Sequence, residues 1–325
     1  MSVLVYTENW DGKFKKLSFE LVSYANEIAK NLNTETIVVS IGDVVEDELK
    51  KLGGYGTEKI INVNDEKLKT LANQPYAKVI SQIAEKENAK VVIFAHNNTG
   101  KAVAPRVSVK LKAGLVTGVA SLPSNYDPFT VSKKAFTGKA LANVKVNSDI
   151  KVITLFQNSF GIIETDNKAN IENFNVELSD GDFGTEVEEV NKVTGKLLLT
   201  DAEIVVSGGR GMKSPDNWGP LEELAEILGG ATACSRPISD EEWRPHTEHV
   251  GQTGKIIAPK LYFALGISGA IQHLGGVSSS KHIVAINTDK DAPIFETADY
   301  GIVGDVQKIL PELNAAIREM KEAEN

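Results

Sequence analysis

Between Ser207 and Asp305, short apolar runs give way repeatedly to glycine-bearing polar segments: SGGRG, CSRP, VGQTGK, GISGAIQH, IVAINTD and YGIVGD. A strand that ends in a tight glycine turn and re-enters a helix is the repeating unit of a parallel sheet with crossover helices. Such a sheet gathers its polar groups beyond the carboxyl ends of the strands, where ligands of open α/β folds bind. The stretch therefore predicts a small parallel sheet with a crowded, polar edge. Its elements read as strands at 204–207, 262–265 and 283–286 and helices at 221–228 and 306–317.

The N-terminal half shows a simpler alternation. Strand patterns at 3–6, 36–41, 59–63 and 91–95 alternate with amphipathic helix patterns at 17–32, 76–86 and 102–111, which predicts a three-layer α/β unit. From Ala120 to Phe156 the pattern turns strand-rich, and these strands extend or flank the first sheet. The piece from Ile171 to Lys196 is acidic and short of large apolar residues, so a boundary is expected there. With 325 residues the chain exceeds one common domain. Two units follow, 1–190 and 197–325.

Composition excludes several functions. A formal net charge of -9 works against nonspecific nucleic-acid binding. The single cysteine, Cys234, cannot form an internal disulfide or a thiolate cluster. No segment is apolar for long enough to cross a bilayer, and MSVLVYTENW has no signal-like pattern, so no direct membrane insertion and a cytoplasmic location are expected.

Within the turns, glycines at 208, 209 and 211 let the backbone approach a ligand, and Arg210 offers a guanidinium either to a phosphate or to a surface ion pair. In GISGAIQH, Ser268 can cap the coming helix, and Gln272 and His273 fall in its first turns. The spacing is not the dinucleotide GxGxxG, since no glycine holds the middle position. His273 is either a donor to a ligand carbonyl or a packed core histidine. His246 and His249 in RPHTEHV lack the HExxH form of a zinc site. Cys234 has no histidine and acid beside it in sequence and reads as a small buried hydrophobe. Arg236 reads as a cation near an electron-rich ring or an anion. VGQTGK supplies Thr253 and Lys255 without Walker spacing. Asn287 and Asp305 fall at the sheet edge, where Asp305 either caps its helix or meets a nucleotide.

The ordered set SGGRGMKS, CSRP, VGQTGK, LYFALGISGAIQH, VAINTD, API and ADYGIVGD resembles the alpha subunit of electron transfer flavoprotein, over essentially the whole chain. That resemblance implies an α/β protein whose N-terminal three-layer domain is a scaffold for a beta subunit. A smaller parallel-sheet domain, flavodoxin-like or Rossmann-like, would bind FAD. It implies Arg210 near the FAD pyrophosphate, Ser235 and Arg236 at the flavin ring, and Thr253 near N5, with Val250, Gly251 and Gln252 lining the same loop. Ser268, Gly269, Ala270, Ile271, Gln272 and His273 would run along pyrophosphate, ribityl chain and ring, and Asn287, Asp305 and Val306 would lie at the adenosine end. The implied process is electron relay from a flavin dehydrogenase, such as an acyl-CoA dehydrogenase, to an acceptor oxidoreductase, without catalytic residues or a metal. CSRPISDEEW departs from the SRAAVD-like passage of many respiratory carriers. Two alternatives stand beside this expectation, a nicotinamide-dependent oxidoreductase and a non-redox nucleotide-binding module.

Overall fold

The fold is that of a computed structural model, which describes residues 1–138, 140–185, 187–190 and 197–324. Two units result, Met1–Ala135 with Leu141–Asn191, and Phe136–Ala140 with Lys192–Asn325.

The N-terminal half runs β1 (Ser2–Thr7), a hairpin of β2 (Asn9–Trp10) and β3 (Lys13–Phe14), α1 (Lys16–Asn31), β4 (Glu35–Ile41), α2 (Glu46–Gly53), β5 (Lys59–Val63), α3 (Asn73–Lys86), β6 (Ala89–Ala95) and α4 (Asn98–Lys110). It continues with β7 (Gly114–Val119), β8 (Asn125–Tyr126), β9 (Phe129–Ala135), β10 (Ala140–Lys145), β11 (Lys151–Leu155) and β12 (Asn170–Asn173). The sheet order is β10-β9-β7-β11-β6-β1-β4-β5-β12, with β8 paired to β9. From β7 to β12 every pairing is parallel, whereas β9 meets β7 and β8 antiparallel.

Period-two alternation divides each central strand between two cores. Val3 and Val5 of β1 pack with Leu21, Val22, Ala25 and Ile28 of α1, and Leu4 and Tyr6 pack with residues of α3 and α4. Covered on both faces, the strands are apolar throughout, and the expected three-layer arrangement results. The strand-rich stretch does extend the sheet, but β11 enters its middle, between β7 and β6. The acidic piece begins as a strand: β12 adds in parallel to β5, and Glu172 pairs with Lys59 at 3.0 Å. Helix α2 was not expected, because EDELKKLG buries only Glu48, Leu49, Leu52 and Gly53.

The second unit runs β13 (Ile204–Gly208), α5 (Gly219–Leu228), β14 (Ala231–Cys234), α6 (Arg236–Asp240), β15 (Leu261–Leu265), α7 (Ile271–Val277), β16 (His282–Asn287), β17 (Tyr300–Val303) and α8 (Val306–Glu324). Its five strands are all parallel, in the order β14-β13-β15-β16-β17. Numbered within the sheet this is 2-1-3-4-5, the flavodoxin-like order, and the chain reverses its direction of travel across the sheet at β13 and β15. Val205, Tyr262, Ala264 and Ile283 pack on the face of α7, while Val206, Phe263, Leu265 and Ile286 pack on the face of α5 and α8. The edge strands β14 and β17 were missed in sequence. ATAC is short and small, and all four residues of β17 are exposed.

One buried carboxylate ties down the loop after β11. Glu20 of α1 is 3% exposed, and its Oε1 accepts from the amides of Phe160 (2.9 Å) and Gly161 (3.0 Å), its Oε2 from that of Asn158 (2.8 Å). Glu20→Leu strands three amides and should lower stability by at least about 3 kcal/mol in urea denaturation, at roughly 1 kcal/mol or more for each amide. Glu20→Gln keeps one acceptor oxygen and should lose less.

Candidate functional site

The turns beyond β13, β15 and β16 are stitched to one another by backbone hydrogen bonds. Gly209 N donates to Leu265 O (2.9 Å), Gly211 N to Gly266 O (3.0 Å) and Gly266 N to Ile286 O (2.8 Å). A Cβ on Gly211 would stand 2.5 Å from Gly266 Cα, and one on Gly266 2.6 Å from Gly211 Cα. Gly266 also has φ of +63°, a conformation disfavoured for other residues. Asn287 adds a side-chain stitch, since its Nδ2 donates to Ile267 O (2.9 Å) and its Oδ1 accepts from Asp289 N (3.0 Å). On the other side, Ser235 N donates to Gly208 O (3.0 Å), Val250 N to Cys234 O (3.0 Å) and Gln252 N to Gln272 O (2.8 Å).

These loops enclose a cavity of about 570 Å³, within the size range of small-molecule and cofactor sites. Arg210, Ser235, Arg236, Val250, Gly251, Thr253, Ser268, Ala270, Gln272, His273 and Asn287 line it. Five other residues singled out in sequence do not. Gln252 and Ile271 are exposed, and Gly269 is packed on the backbone of Ile294. Asp305 is committed to its helix, accepting from Gln307 N (3.1 Å) and pairing with Lys213 (2.7 Å), so capping describes it. Val306 is in the core with Met212 and Trp218. Gly211, read in sequence as a place of close backbone approach, lines the cavity too, whereas sequence reasoning missed Pro237, Asp240, His249 and Ile267, which also line it. Asp240 had a signal, its i,i+4 spacing to Arg236. His249 had been weighed only as half of a metal pair; its ring stands 5.3 Å from that of His246. Among the described residues no group of three or more His, Cys, Asp and Glu could hold a metal ion.

The wall is uncharged and the mouth is cationic. His273 is 6% exposed, and its Nε2 is 2.7 Å from the Tyr262 phenol. Burial pushes its imidazole down to about 4, with the Val250 carbonyl opposing and nearby His249 reinforcing the shift. Burial lowers His249 too, helped by His246. The Nδ1 atoms of both rings close no hydrogen bond of standard geometry among the described residues. Buried polar atoms are normally paired, so two orphans in one cavity wall suit a polar ligand. Cys234 is fully buried and its thiol is pushed up to about 12 by burial and by the charge of Glu248, so it is an inert packing residue. Arg210 is exposed, with no side-chain partner among the described residues. Arg236 is exposed as well and shares its charge with Asp240, Nε to Oδ2 at 3.2 Å.

A family model described as the electron transfer flavoprotein domain matches residues 3–179, and one described as the electron transfer flavoprotein FAD-binding domain matches residues 198–278. The chain is 37% identical to electron transfer flavoprotein subunit alpha of Bacillus subtilis (strain 168), covering 98% of each chain. Its identity to the subunit of that name from Megasphaera elsdenii is also 37%, over 98% of this chain and 97% of the other. The acryloyl-CoA reductase electron transfer subunit beta of Anaerotignum propionicum is 33% identical, over 99% of this chain and 96% of that one.

Gly266→Ala forces a Cβ into the opposing turn at a positive φ, and thermal unfolding should show a loss of about 1–3 kcal/mol or more. The buried imidazole predicts an acid effect. The unfolded chain protonates His273 near 6.5 and the folded one not until about 4. Stability therefore rises with pH between these values and is lost as pH falls through them. His273→Asn should flatten this limb by at most about 1.4 kcal/mol per pH unit, measured by denaturant melts at several pH values.

Proposed function

The chain belongs to the electron transfer flavoprotein family, with the alpha subunits as its relatives, and from that premise we propose that the cavity at the edge of the second sheet holds its FAD. Paired with a beta subunit, the chain would pass electrons from a donor flavin dehydrogenase to an acceptor oxidoreductase. The observation that carries the proposal is the set of glycine turns stitched around a cavity of about 570 Å³, lined largely by residues inside the 198–278 span of the FAD-binding domain. The matched domain is described by its flavin, which leaves the nicotinamide alternative without support.

The residues present fit the group. Glycines admit a close-lying anionic chain, two exposed arginines stand at the mouth, and two buried ring nitrogens in the wall await partners. Bound there, FAD supplies the capacity to take up and release single electrons, and the protein supplies orientation and field. We assign Arg210 to the pyrophosphate, supported by its place in the turn after β13 and its lack of a side-chain partner among the described residues. Ser235 and Arg236, at the start of α6, are assigned to the ring. A guanidinium there favours added negative charge, moderated by Asp240. Thr253 offers a hydroxyl to the ring, and Ser268, Ala270 and Gln272 line the path between ring and pyrophosphate. Asn287, whose amide is already committed, shapes the adenosine end, and Asp305 and Val306 fix the start of α8 behind it.

Similarity to an acryloyl-CoA reductase electron transfer subunit supports a CoA-ester dehydrogenase as redox partner. No helix among the described residues is long and apolar enough to cross a membrane, and we place the carrier in the cytoplasm.

The test is to purify the chain with its beta subunit and record the visible spectrum. Oxidised-flavin bands should accompany the folded complex, and a folded complex without them sinks the proposal. Arg236→Ala should retain the fold by circular dichroism and lower the one-electron potential by on the order of 60 mV, one tenfold step for a one-electron couple. An unchanged potential would place Arg236 away from the ring.

A further inference from the structure

Tyr262 and His273 bring polar chemistry into a place where the fold needs none. Tyr262 is on β15, fully buried, among Val205, Ala264 and Val277. A phenylalanine would fill the same space without the desolvation that a hydroxyl incurs. Its oxygen is 2.7 Å from His273 Nε2, while the rings stand 6.0 Å apart at 45°, so the contact belongs to the hydroxyl and not to stacking. Burial drives the phenol pKa upward, opposed by the nearby Ser207 hydroxyl, which closes no hydrogen bond of standard geometry. With the imidazole pushed down to about 4, both groups are neutral near neutral pH.

A single proton then lies between the phenol oxygen and Nε2. The sp² lone pair of a neutral imidazole is the better acceptor and the phenol the better donor. No other hydrogen bond of the phenol is found among the described residues. The hydroxyl therefore donates to Nε2, and a neutral ring that accepts at Nε2 carries its proton at Nδ1. Nδ1 is buried and closes no hydrogen bond of standard geometry among the described residues, the Val250 carbonyl is a neighbour of the ring, and His273 is in the cavity wall. With Nε2 tied into the core, Nδ1–H is the polar group that the ring has left to share between that carbonyl and a ligand.

We propose that Tyr262 is a positioning residue that fixes His273 in the Nδ1–H tautomer, so that the ring stands as a neutral hydrogen-bond donor to an oxygen of the bound flavin. The second half of this inference rests on the FAD reading of the cavity. Tyr262 acts entirely through His273. A neutral donor favours the added negative charge by a dipole, leaving Arg236 as the full charge beside it.

The experiment uses the complete complex with the beta subunit, with the alpha chain alone carrying ¹⁵N-histidine. Its five histidines give a spectrum simple enough to assign with a His273→Asn variant. In the wild type, His273 should show a protonated, pyrrole-type Nδ1 and a pyridine-type Nε2, with or without FAD. In Tyr262→Phe the two nitrogens should shift toward averaged values, and FAD should bind about two- to tenfold more weakly, the equivalent of one neutral hydrogen bond. Adding Tyr262→Phe to His273→Asn should weaken FAD binding no further than His273→Asn alone.

A wild-type spectrum with the proton on Nε2 overturns the proposal even if the Tyr262→Phe variant fails to fold. So does a Tyr262→Phe complex with unchanged tautomer and affinity, or a loss that persists undiminished in the His273→Asn background. A complex that binds no FAD overturns the functional reading and the flavin contact together. The tautomer, read without flavin, still decides the role of Tyr262 separately.

Discussion

Two turns of the second sheet cross with no room for a side chain between them, at Gly211 and Gly266. A Cβ on either residue would come within 2.6 Å of the other's Cα, and the amide of Gly211 is used in donating to the Gly266 carbonyl. Because the crossing joins the ends of β13 and β15, it fixes the strands between which the chain reverses its travel across the sheet. The cavity exists because the backbone closes this crossing by itself. Side chains from α6, α7 and the loop between β14 and β15 are then free to face inward. Arg210, between Gly209 and Gly211, is exposed and lines the cavity.

The first unit uses a similar parallel topology to the opposite end. Its corresponding edge, beyond β1 and β6, is closed by side chains: Asn97 Nδ2 donates to Glu8 Oε1 (2.7 Å), Asn9 Nδ2 donates to Ile41 O (2.8 Å), and His96 Nδ1 meets Thr154 Oγ1 (2.7 Å). There polar side chains satisfy one another, whereas the glycine turns of the second sheet stand beside two ring nitrogens that close no hydrogen bond of standard geometry among the described residues. Two sheets of related architecture thus differ in what occupies these edges, and architecture alone would not have told them apart.

This difference also explains what could be read from sequence. Strands with both faces buried announce themselves as VLVY, IVVS and VVIF, and the helices between them keep a clear period, so the layers were legible. Elements whose pattern is set by one exposed or small-residue face were not: α2 carries five charged positions in EDELKKLG, β14 is ATAC, and all four residues of β17 are exposed. The turn residues were legible as a group because glycine clusters after strands mark where backbones meet. Which of them face the cavity depended on partners far along the chain. Gly269 looks like Gly266 in sequence, but it packs against Ile294, and Asp305 looks like a ligand residue until Lys213 and its own helix claim it. His249 was hidden for the converse reason, since nothing local reveals that its loop folds back to bridge Cys234.

The charges around the cavity follow a consistent division. Buried groups are held neutral, His249 and His273 in the wall by desolvation and Cys234 in the core by desolvation with a carboxylate nearby, while the full charges of Arg210 and Arg236 remain at the exposed mouth. A buried cation beside an electron-accepting ring would bind the reduced form strongly, but it would also bear a desolvation penalty whenever the ring was oxidised. An exposed arginine paired with Asp240 avoids that penalty and offers a smaller, screened preference for added charge. A relay must release electrons as readily as it accepts them, so a modest preference suits it better than a strong one. In the proposed flavin site, neutral donors inside and tempered cations outside are electrostatics that suit reversible single-electron traffic.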